Sequence, residues 1–167
     1  MFQLTFPRMT ACLLLSAVML SALPGCSKRI DTSTPDKFYK SWTEVMKSLP
    51  ASQQKEFDEG MTMIWFYSES DEETNARIHG KTGREMLAMI AEMRESLPKL
   101  DTTSKETFED SLARIKATLP SSKMRVYNEW LKELPPYRPG NPRLDAFNGM
   151  TFQKIVENRD ITSTKNP

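Results

Sequence analysis

Apolar residues recur at helical spacing along most of the chain. A stripe of Phe38, Trp42, Val45 and Leu49 is followed directly by Pro50. Residues that step by three and four positions share one face of an α-helix, and proline ends a helix because it cannot donate the next backbone hydrogen bond. No segment of the sequence shows sustained alternation of apolar and polar positions. The pattern therefore predicts an all-α fold.

The same stripe returns in the second half of the chain. Aligned without gaps, residues 31–64 and 101–134 share eight identical positions. The identical pairs are Asp31/Asp101, Thr32/Thr102, Phe38/Phe108, Ser41/Ser111, Leu49/Leu119, Pro50/Pro120, Ser52/Ser122 and Glu59/Glu129. Self-similarity at a fixed spacing is typical of repeat architectures. The sequence therefore predicts a duplicated unit.

A second matching block occurs later in both units and in the same order. Gly80-x-Thr82 corresponds to Gly149-x-Thr151. Glycine suits the left-handed backbone of a turn, and threonine is a favourable N-cap for the helix that follows. Thr82 also has Glu85 at the spacing of a capping box. We interpret Gly80, Thr82, Gly149 and Thr151 as two helix-cap motifs.

Each unit is predicted to contain three helices. The first would start at a capping box, formed by Ser33 with Asp36 in one unit and by Thr103 with Glu106 in the other. The second would start at Ser52 or Ser122, and the third directly after the Gly-x-Thr motif. The acidic segment 68–75 and the proline-rich segment 134–143 are predicted to be loops. The predicted fold has two tandem three-helix repeats, 30–99 and 100–158, packed as one small helical bundle, followed by a polar tail at 159–167.

Residues 1–25 have the pattern of a cleavable secretory leader. Arg8 is their only charged residue, and an apolar run covers residues 9–23. A permanent membrane helix needs roughly 20 apolar residues, so this run is short for one. A basic start, a short apolar run and an exit of small residues are typical of a signal peptide.

The leader ends in Leu23-Pro24-Gly25-Cys26, which resembles the lipobox of bacterial lipoproteins. The resemblance implies that residues 1–25 are removed as a signal peptide and that lipid is attached to the Cys26 thiol. An ordinary signal peptide followed by a free cysteine is the alternative. Apart from this covalent lipid, no cofactor is expected.

The cysteine content favours lipidation. Cys12 lies in the leader, so Cys26 would be the one thiol left in the mature chain. A lone thiol in an exported protein is reactive, and acylation removes that reactivity. Ser27 follows the cysteine. By the same resemblance, a residue other than aspartate there favours the outer membrane facing the periplasm, with residues 26–29 as a short tether.

The charge balance limits the classes of partner. Without Arg8, the mature chain keeps 22 of its 23 basic residues beside 22 acidic ones. A neutral domain argues against nucleic acid, which requires a basic face, and against a polybasic patch for anionic lipid. The expected partners are the membrane, through the lipid anchor, and an envelope protein.

The motifs together resemble a known group of proteins. Ile30-Asp31-x-Ser33, the Leu49-Pro50 helix end and the Gly-x-Thr turn are similar to a family of small bacterial lipoproteins with a helical domain of unknown function. Members of the family often carry one such unit, and this chain has two. The resemblance implies a helical fold and envelope localisation, and it brings no catalytic residue with it.

Two motifs that could carry chemistry have simpler explanations. Gly80-Lys81-Thr82 is similar to the end of a phosphate-binding loop, but that loop needs a glycine where this chain has Asn75. His79 is the single histidine, and no cysteine or histidine partners exist for a typical zinc site. No metal site is predicted, and His79 is interpreted as a polar residue that caps a turn.

Carboxylates and methionines are numerous but do not define a site. The acidic residues of segment 68–75 are predicted to be solvated, although paired carboxylates in a cleft can hydrolyse glycosides. Methionines at helical spacing mostly fill helical cores, yet they can also bind peptides or soft metals. The methionines concerned are Met61, Met63, Met86, Met89 and Met93, and the tryptophans Trp42, Trp65 and Trp130 are likewise predicted to lie in the core.

These observations lead to three functional hypotheses. The preferred one is a membrane-anchored, non-enzymatic binding module of the cell envelope. The second is an immunity or inhibitor lipoprotein directed against a periplasmic toxin or lytic enzyme. The third is an envelope hydrolase that uses Glu69, Asp71, Glu72 and Glu73.

Overall fold

The computed structural model describes residues 28–163, and the side chains of residues 28–158. This part of the chain forms eight α-helices and no β-strand, so the predicted all-α class is confirmed. The helices are α1 (Pro35–Ser48), α2 (Ala51–Phe66), α3 (Asp71–Ile78), α4 (Gly83–Ser96), α5 (Lys105–Thr118), α6 (Met124–Glu133), α7 (Pro142–Asp145) and α8 (Phe152–Ser163).

Helices α1 and α5 occupy matching positions, but the cap of each lies one residue later than predicted. Thr34 caps α1 by accepting a hydrogen bond from the Lys37 amide, and Ser104 caps α5 with Thr107. The predicted caps at Ser33 and Thr103 are therefore wrong. The amides of both residues instead donate to the aspartate two positions earlier, at 2.9 Å, and this short turn moves the cap to the next residue.

The second helices are capped by proline rather than serine. Pro50 holds extended backbone, and its carbonyl accepts hydrogen bonds from the amides of Gln53 and Gln54. Helix α2 therefore begins at Ala51, before the predicted cap at Ser52. In the second half, the turn after Pro120 is a 3₁₀ helix, Ser121–Lys123, which leads into α6.

Each half contains four helices, so the predicted three per unit is wrong. Helix α3 lies in the acidic segment, where the sequence predicts a loop. Ser70 caps it by accepting from the Glu73 amide, and its first turn holds three acidic residues, which interact favourably with the helix dipole. The one-turn helix α7 lies in the proline-rich segment, with Asn141 as its cap and Pro142 in its first turn.

One hydrophobic core is shared by both halves of the chain. Its fully buried members come mainly from α2, α4, α5, α6 and α8. Ile30, in the segment before α1, also belongs to this core. The largest of these side chains are Tyr127, Phe57, Phe152, Ile30, Met61, Ile64, Ile78, Met86, Ile90, Leu100, Ile115 and Leu144. Burial of Met61 and Met86 confirms the predicted packing role for these two methionines.

Aromatic rings connect the two halves. Phe152 of α8 has its ring 5.3 Å from the rings of Tyr127 and Trp130, and 6.1 Å from that of Phe66 at the end of α2. The Tyr67 hydroxyl accepts a hydrogen bond from the Gln153 amide at 3.4 Å. Such offset and edge-on pairs stabilise a core beyond the area that they bury.

One prediction about the surface is wrong. Trp65, which the sequence assigns to the core, has 43% of its surface exposed, because the neighbouring Ile64 faces the core in its place. Helix α8 extends to Ser163, so the first residues of the predicted polar tail at 159–167 are helical.

Candidate functional site

The residues of the predicted lipid anchor lie outside the part of the chain that the structure describes. These are Leu23, Pro24, Gly25, Cys26 and Ser27. Their assignment to signal cleavage, lipidation and sorting stays a prediction. The described chain begins at Lys28, the second residue after Cys26.

The segment that follows the predicted anchor is bound firmly to the domain. The Lys28 ammonium lies 3.0 Å from the Glu44 carboxylate of α1, and the Arg29 guanidinium donates to the Gly80 carbonyl at 2.6 Å. Ile30 is buried in the core, with 1% of its surface exposed. Residues 28 and 29, predicted to be tether, therefore contact the body of the protein.

The first Gly-x-Thr motif closes against this N-terminal segment. The Gly80 amide donates to the Ile30 carbonyl at 2.8 Å, and the Ile30 amide donates to the Lys81 carbonyl at 2.9 Å. The Thr32 amide donates to His79 Nδ1 at 3.1 Å. Gly80 has φ +73°, the left-handed backbone that favours glycine. His79 thus serves as the acceptor that holds the turn.

The second motif has the same bonds around different residues. The Gly149 amide donates to the Leu100 carbonyl at 2.8 Å, and the Leu100 amide donates to the Met150 carbonyl at 2.9 Å. The Thr102 amide donates to Asn148 Oδ1 at 3.0 Å, and Gly149 has φ +76°. An asparagine oxygen therefore occupies the place of the histidine nitrogen.

A further pair of bonds matches between the two halves. The Asp31 amide donates to the Ser41 hydroxyl at 2.9 Å, and the Asp101 amide donates to the Ser111 hydroxyl at 3.2 Å. Both serines lie in the helix that follows the turn, α1 or α5. The identical pairs Asp31/Asp101 and Ser41/Ser111 are therefore structural residues, because they bond each other in each half.

The threonines of the two motifs lie where their helices begin. The Glu85 amide donates to the Thr82 hydroxyl at 3.3 Å, and the Thr82 amide donates to the Glu85 carboxylate at 2.7 Å. This reciprocal box is the one expected from the sequence. The Thr82 amide, with the Thr82 hydroxyl, lowers the pKa of Glu85. Thr151 forms an antiparallel bridge with Lys99, and its carbonyl accepts from the Ile155 amide.

The acidic segment connects the two halves. The Glu69 carboxylate accepts from the Ser121 amide at 2.7 and 2.9 Å and from the Ser121 hydroxyl at 2.7 Å. It therefore caps the 3₁₀ turn of the other half, far away along the sequence. The Ser121 amide, followed by the hydroxyl, lowers the pKa of Glu69.

Two neighbouring carboxylates also have local structural partners. Glu73 accepts from the Glu69 amide at 2.7 Å and from Arg77 at 2.6 Å, and these bonds lower its pKa, with the Glu69 amide first. The pKa of Glu72 is lowered by its own amide. A glycosidase requires a carboxylic acid with a raised pKa as proton donor. The shifts at Glu69, Glu72 and Glu73 go in the opposite direction.

The exposed large hydrophobic side chains of the described residues lie together on α1 and α2. Tyr39 has 68% of its surface exposed and Trp65 has 43%. The Phe38 ring lies between them, with its centroid 5.6 Å from that of Tyr39 and 6.2 Å from that of Trp65. We call Phe38, Tyr39 and Trp65 the aromatic surface.

An open cleft of about 570 Å³ lies along the connection between α4 and α5. Acidic and basic side chains both line it, so the cleft does not select one ligand charge. The charged residues are Glu95, Lys99, Asp101, Asp110 and Arg114. A smaller, more apolar cleft of about 280 Å³ lies beside it, between Met63 and Met150.

Between residues 28 and 163, no group of histidine, cysteine and acidic residues is arranged to hold a metal ion. Within the same range, no helix is long and apolar enough to cross a bilayer.

No family model, curated protein or solved structure matches the chain. The resemblance to small bacterial lipoproteins therefore stays a prediction from the sequence motifs.

Tyr39 is a surface residue that the apolar pattern does not reveal. It follows Phe38 directly, so it faces away from the apolar stripe that defines α1. The signal that could have found it is the comparison of the two units, since the position equivalent to Tyr39 is Glu109. An aromatic residue that replaces a charged one outside the stripe indicates a surface difference between the units.

Proposed function

We propose that this protein is an exported lipoprotein, acylated on Cys26, whose helical domain binds a protein or another envelope component close to the membrane. The observation that carries the proposal is the run Leu23-Pro24-Gly25-Cys26 at the end of a short apolar leader. Two or three acyl chains anchor a protein durably, whereas one chain is marginal. Ser27 favours the outer membrane.

The contacts of the first described residues support a domain that is held close to the bilayer. Lys28 and Arg29 are bound to α1 and to the Gly80 turn, so little free chain separates the domain from Cys26. Two residues of extended chain span at most about 7 Å. A domain held this closely would meet partners that lie at the membrane surface.

The aromatic surface supports binding rather than catalysis. Tyr39 and Trp65 are the residue types that are enriched where proteins bind their partners. Three of the four carboxylates that the hydrolase hypothesis names, Glu69, Glu72 and Glu73, have lowered pKa values, because backbone and side-chain donors already use their oxygens. The hydrolase hypothesis is therefore the least favoured of the three.

We also propose that the domain is a tandem repeat, with α1–α4 as one unit and α5–α8 as the other. Support comes from the matched bonds at Gly80 and Gly149 and from the equivalent acceptors His79 and Asn148. Both halves contribute to one core, so the two units form one bundle.

The binding proposal is tested by crosslinking in cells, followed by purification of the tagged lipoprotein and mass spectrometry. Cys26→Ser serves as the control that removes the anchor. We expect one dominant envelope partner that is lost with Cys26→Ser. If that partner were a toxin or lytic enzyme and deletion removed protection against it, the inhibitor function would hold. Equal recovery of every partner with the control would contradict binding at the membrane.

A further inference from the structure

The outward side of helix α1 carries lysines and one exposed tyrosine. Lys40, Thr43 and Lys47 follow each other at steps of three and four residues, so they share the face opposite the buried Val45. Lys37 and Tyr39 lie at its two edges. We call Lys37, Tyr39, Lys40, Thr43 and Lys47 the α1 outer face. All of these side chains are exposed except Thr43, which is half-buried.

The chain enters the domain along one edge of this face. Lys28 contacts Glu44 at 3.0 Å, and Glu44 lies next to Thr43 on α1. Since Cys26 precedes Lys28 by two positions, Cys26 can lie at most about 7 Å of extended chain from the Lys28 backbone. The anchor would therefore enter the bilayer beside the α1 outer face.

Helix α5 offers a comparison within the same molecule. In the gap-free alignment of the two units, α5 has Thr, Glu, Asp and Ala where α1 has Lys37, Tyr39, Lys40 and Lys47. The position equivalent to Trp65 is a proline. The lysines and the tyrosine of the α1 outer face are thus absent from the equivalent positions of α5, although Arg114 there replaces Glu44. The balance of 22 basic and 22 acidic residues in the predicted mature chain conceals this local difference.

These residue types fit the headgroup layer of a bilayer. Lysines near an anionic membrane surface are attracted to it, and tyrosine and tryptophan prefer the boundary between water and lipid. Two acidic residues, Asp36 and Glu44, lie on the same side of α1, and Glu44 is paired with Lys28. Arg29 is likewise paired with Glu85 at 3.5 Å, so of the acidic residues named here only Asp36 is left to offset the three lysines of the α1 outer face.

We propose that the α1 outer face rests on the anionic headgroups of the membrane that holds the anchor. The proposal deepens the proposed function and rests on lipidation at Cys26. It fixes the orientation of the domain. Helix α1 then lies along the membrane.

A matched pair of labels tests this orientation in the full lipidated chain. Thr43→Cys and Ala113→Cys occupy equivalent positions on α1 and α5. Each variant carries an environment-sensitive fluorophore and is reconstituted into phosphatidylcholine vesicles, with or without phosphatidylglycerol. A nitroxide quencher attached to the lipid headgroups reports proximity. Mass spectrometry first establishes that each chain carries acyl groups, and a chain without them would contradict both the anchor and this proposal.

With anionic vesicles, we expect the label at position 43 to be quenched several-fold more strongly than the label at position 113. High salt should reduce the difference, because it screens surface charge. Replacing Lys37, Lys40 and Lys47 by Glu should abolish the difference in quenching between the two labels. The control replacement of Lys105 and Lys116 by Glu on α5 should leave this difference in quenching unchanged.

Two results would overturn the proposal while leaving the anchor intact. One is equal quenching at positions 43 and 113 in anionic vesicles. The other is shielding of position 43 that arises only when envelope extract is added, which would assign the α1 outer face to a protein partner.

Discussion

In each half of the chain, one side-chain atom accepts a hydrogen bond that closes the Gly-x-Thr turn. His79 Nδ1 accepts from the Thr32 amide, and Asn148 Oδ1 accepts from the Thr102 amide. The bond from the Thr32 amide requires a lone pair on His79 Nδ1. His79, the only histidine of the sequence, therefore has a structural role. Asn148 has the same role in the other half.

Substitution at position 79 tests this equivalence. His79→Asn keeps an oxygen acceptor and should change the free energy of unfolding by less than about 0.5 kcal/mol, since exposed changes that keep their contacts are small. His79→Ala leaves the Thr32 amide without its acceptor and should cost about 1 kcal/mol. Chemical denaturation at neutral pH measures both. Equal stability of His79→Ala and the wild type would contradict the role assigned to the ring.

Glu69 should make the stability of the protein sensitive to acid. Bonds from Ser121 lower its pKa below the ordinary value of 4.5. Its stabilising effect is therefore fully present above about pH 4.5, and it is lost as the pH falls through the lowered pKa of the folded state. Glu69→Gln should destabilise the protein near neutral pH, and the difference from the wild type should shrink as the pH falls below 4.5.

The measurement for Glu69 is the free energy of unfolding across that pH range. Glu92→Gln, at an exposed position on α4, is the matched control for loss of one negative charge. If Glu69→Gln were as stable as Glu92→Gln at neutral pH, the bonds to Ser121 would not connect the halves as described.

At the scale of helices, α2 and α4 approach closely at one glycine. A methyl group added at Gly60 would lie 2.3 Å from Ile90 Cδ1 and 2.5 Å from its Cγ1, and Ile90 is fully buried. Overpacking of a core costs about 1–3 kcal/mol, whereas alanine in place of a helical glycine gains up to about 1 kcal/mol. Gly60→Ala should therefore destabilise the protein, by up to about 2 kcal/mol.

A double-mutant cycle separates the clash from other effects of the substitution. Ile90→Ala opens the space that the new methyl group needs, so Gly60→Ala/Ile90→Ala should be more stable than the sum of the two single effects predicts. Thermal and chemical unfolding of the four proteins provide the comparison. A stabilising effect of Gly60→Ala alone would contradict the close approach of α2 and α4.

Periodicity predicts the long helices well and the short ones poorly. The apolar stripes identify α1, α2, α4, α5 and α6, because each buries one face along several turns. Helix α3 is short, and only Thr74 and Ile78 are buried, so it has no stripe to detect. Its start depends on the local cap at Ser70. The exact caps of α1 and α5 likewise depend on competing bonds to Asp31 and Asp101 that spacing alone does not resolve.

At the scale of the whole molecule, one core crosses the boundary between the two halves. Phe152 packs on Phe66 from the first half and on Trp130 from the second. We therefore expect both halves to unfold in one transition, as small domains with a common core do. Fluorescence of the wild type and of Trp130→Phe should give the same denaturation midpoint as circular dichroism of the same protein. Separate midpoints within one protein would indicate two independent units.

The sequence indicates the composition of the surface but not its arrangement. Net charge does not show that Lys37, Lys40 and Lys47 lie on one side of α1, which also carries Asp36 and Glu44. Spacing assigns Trp65 to the core because it follows Ile64 in the stripe, and only the packing of α1 against α2 shows which of the two is buried. The three-dimensional neighbours of a residue decide its exposure, and spacing along the chain does not contain them.

Lipid on Cys26 is the feature on which the proposed localisation and orientation both depend. Metabolic labelling with a palmitate analogue, combined with membrane fractionation, tests it in the wild type and in Cys26→Ser. We expect a labelled, membrane-bound wild type and an unlabelled Cys26→Ser form of higher mass that keeps its leader. Continued labelling of Cys26→Ser, or a wild type without label, would refute the anchor.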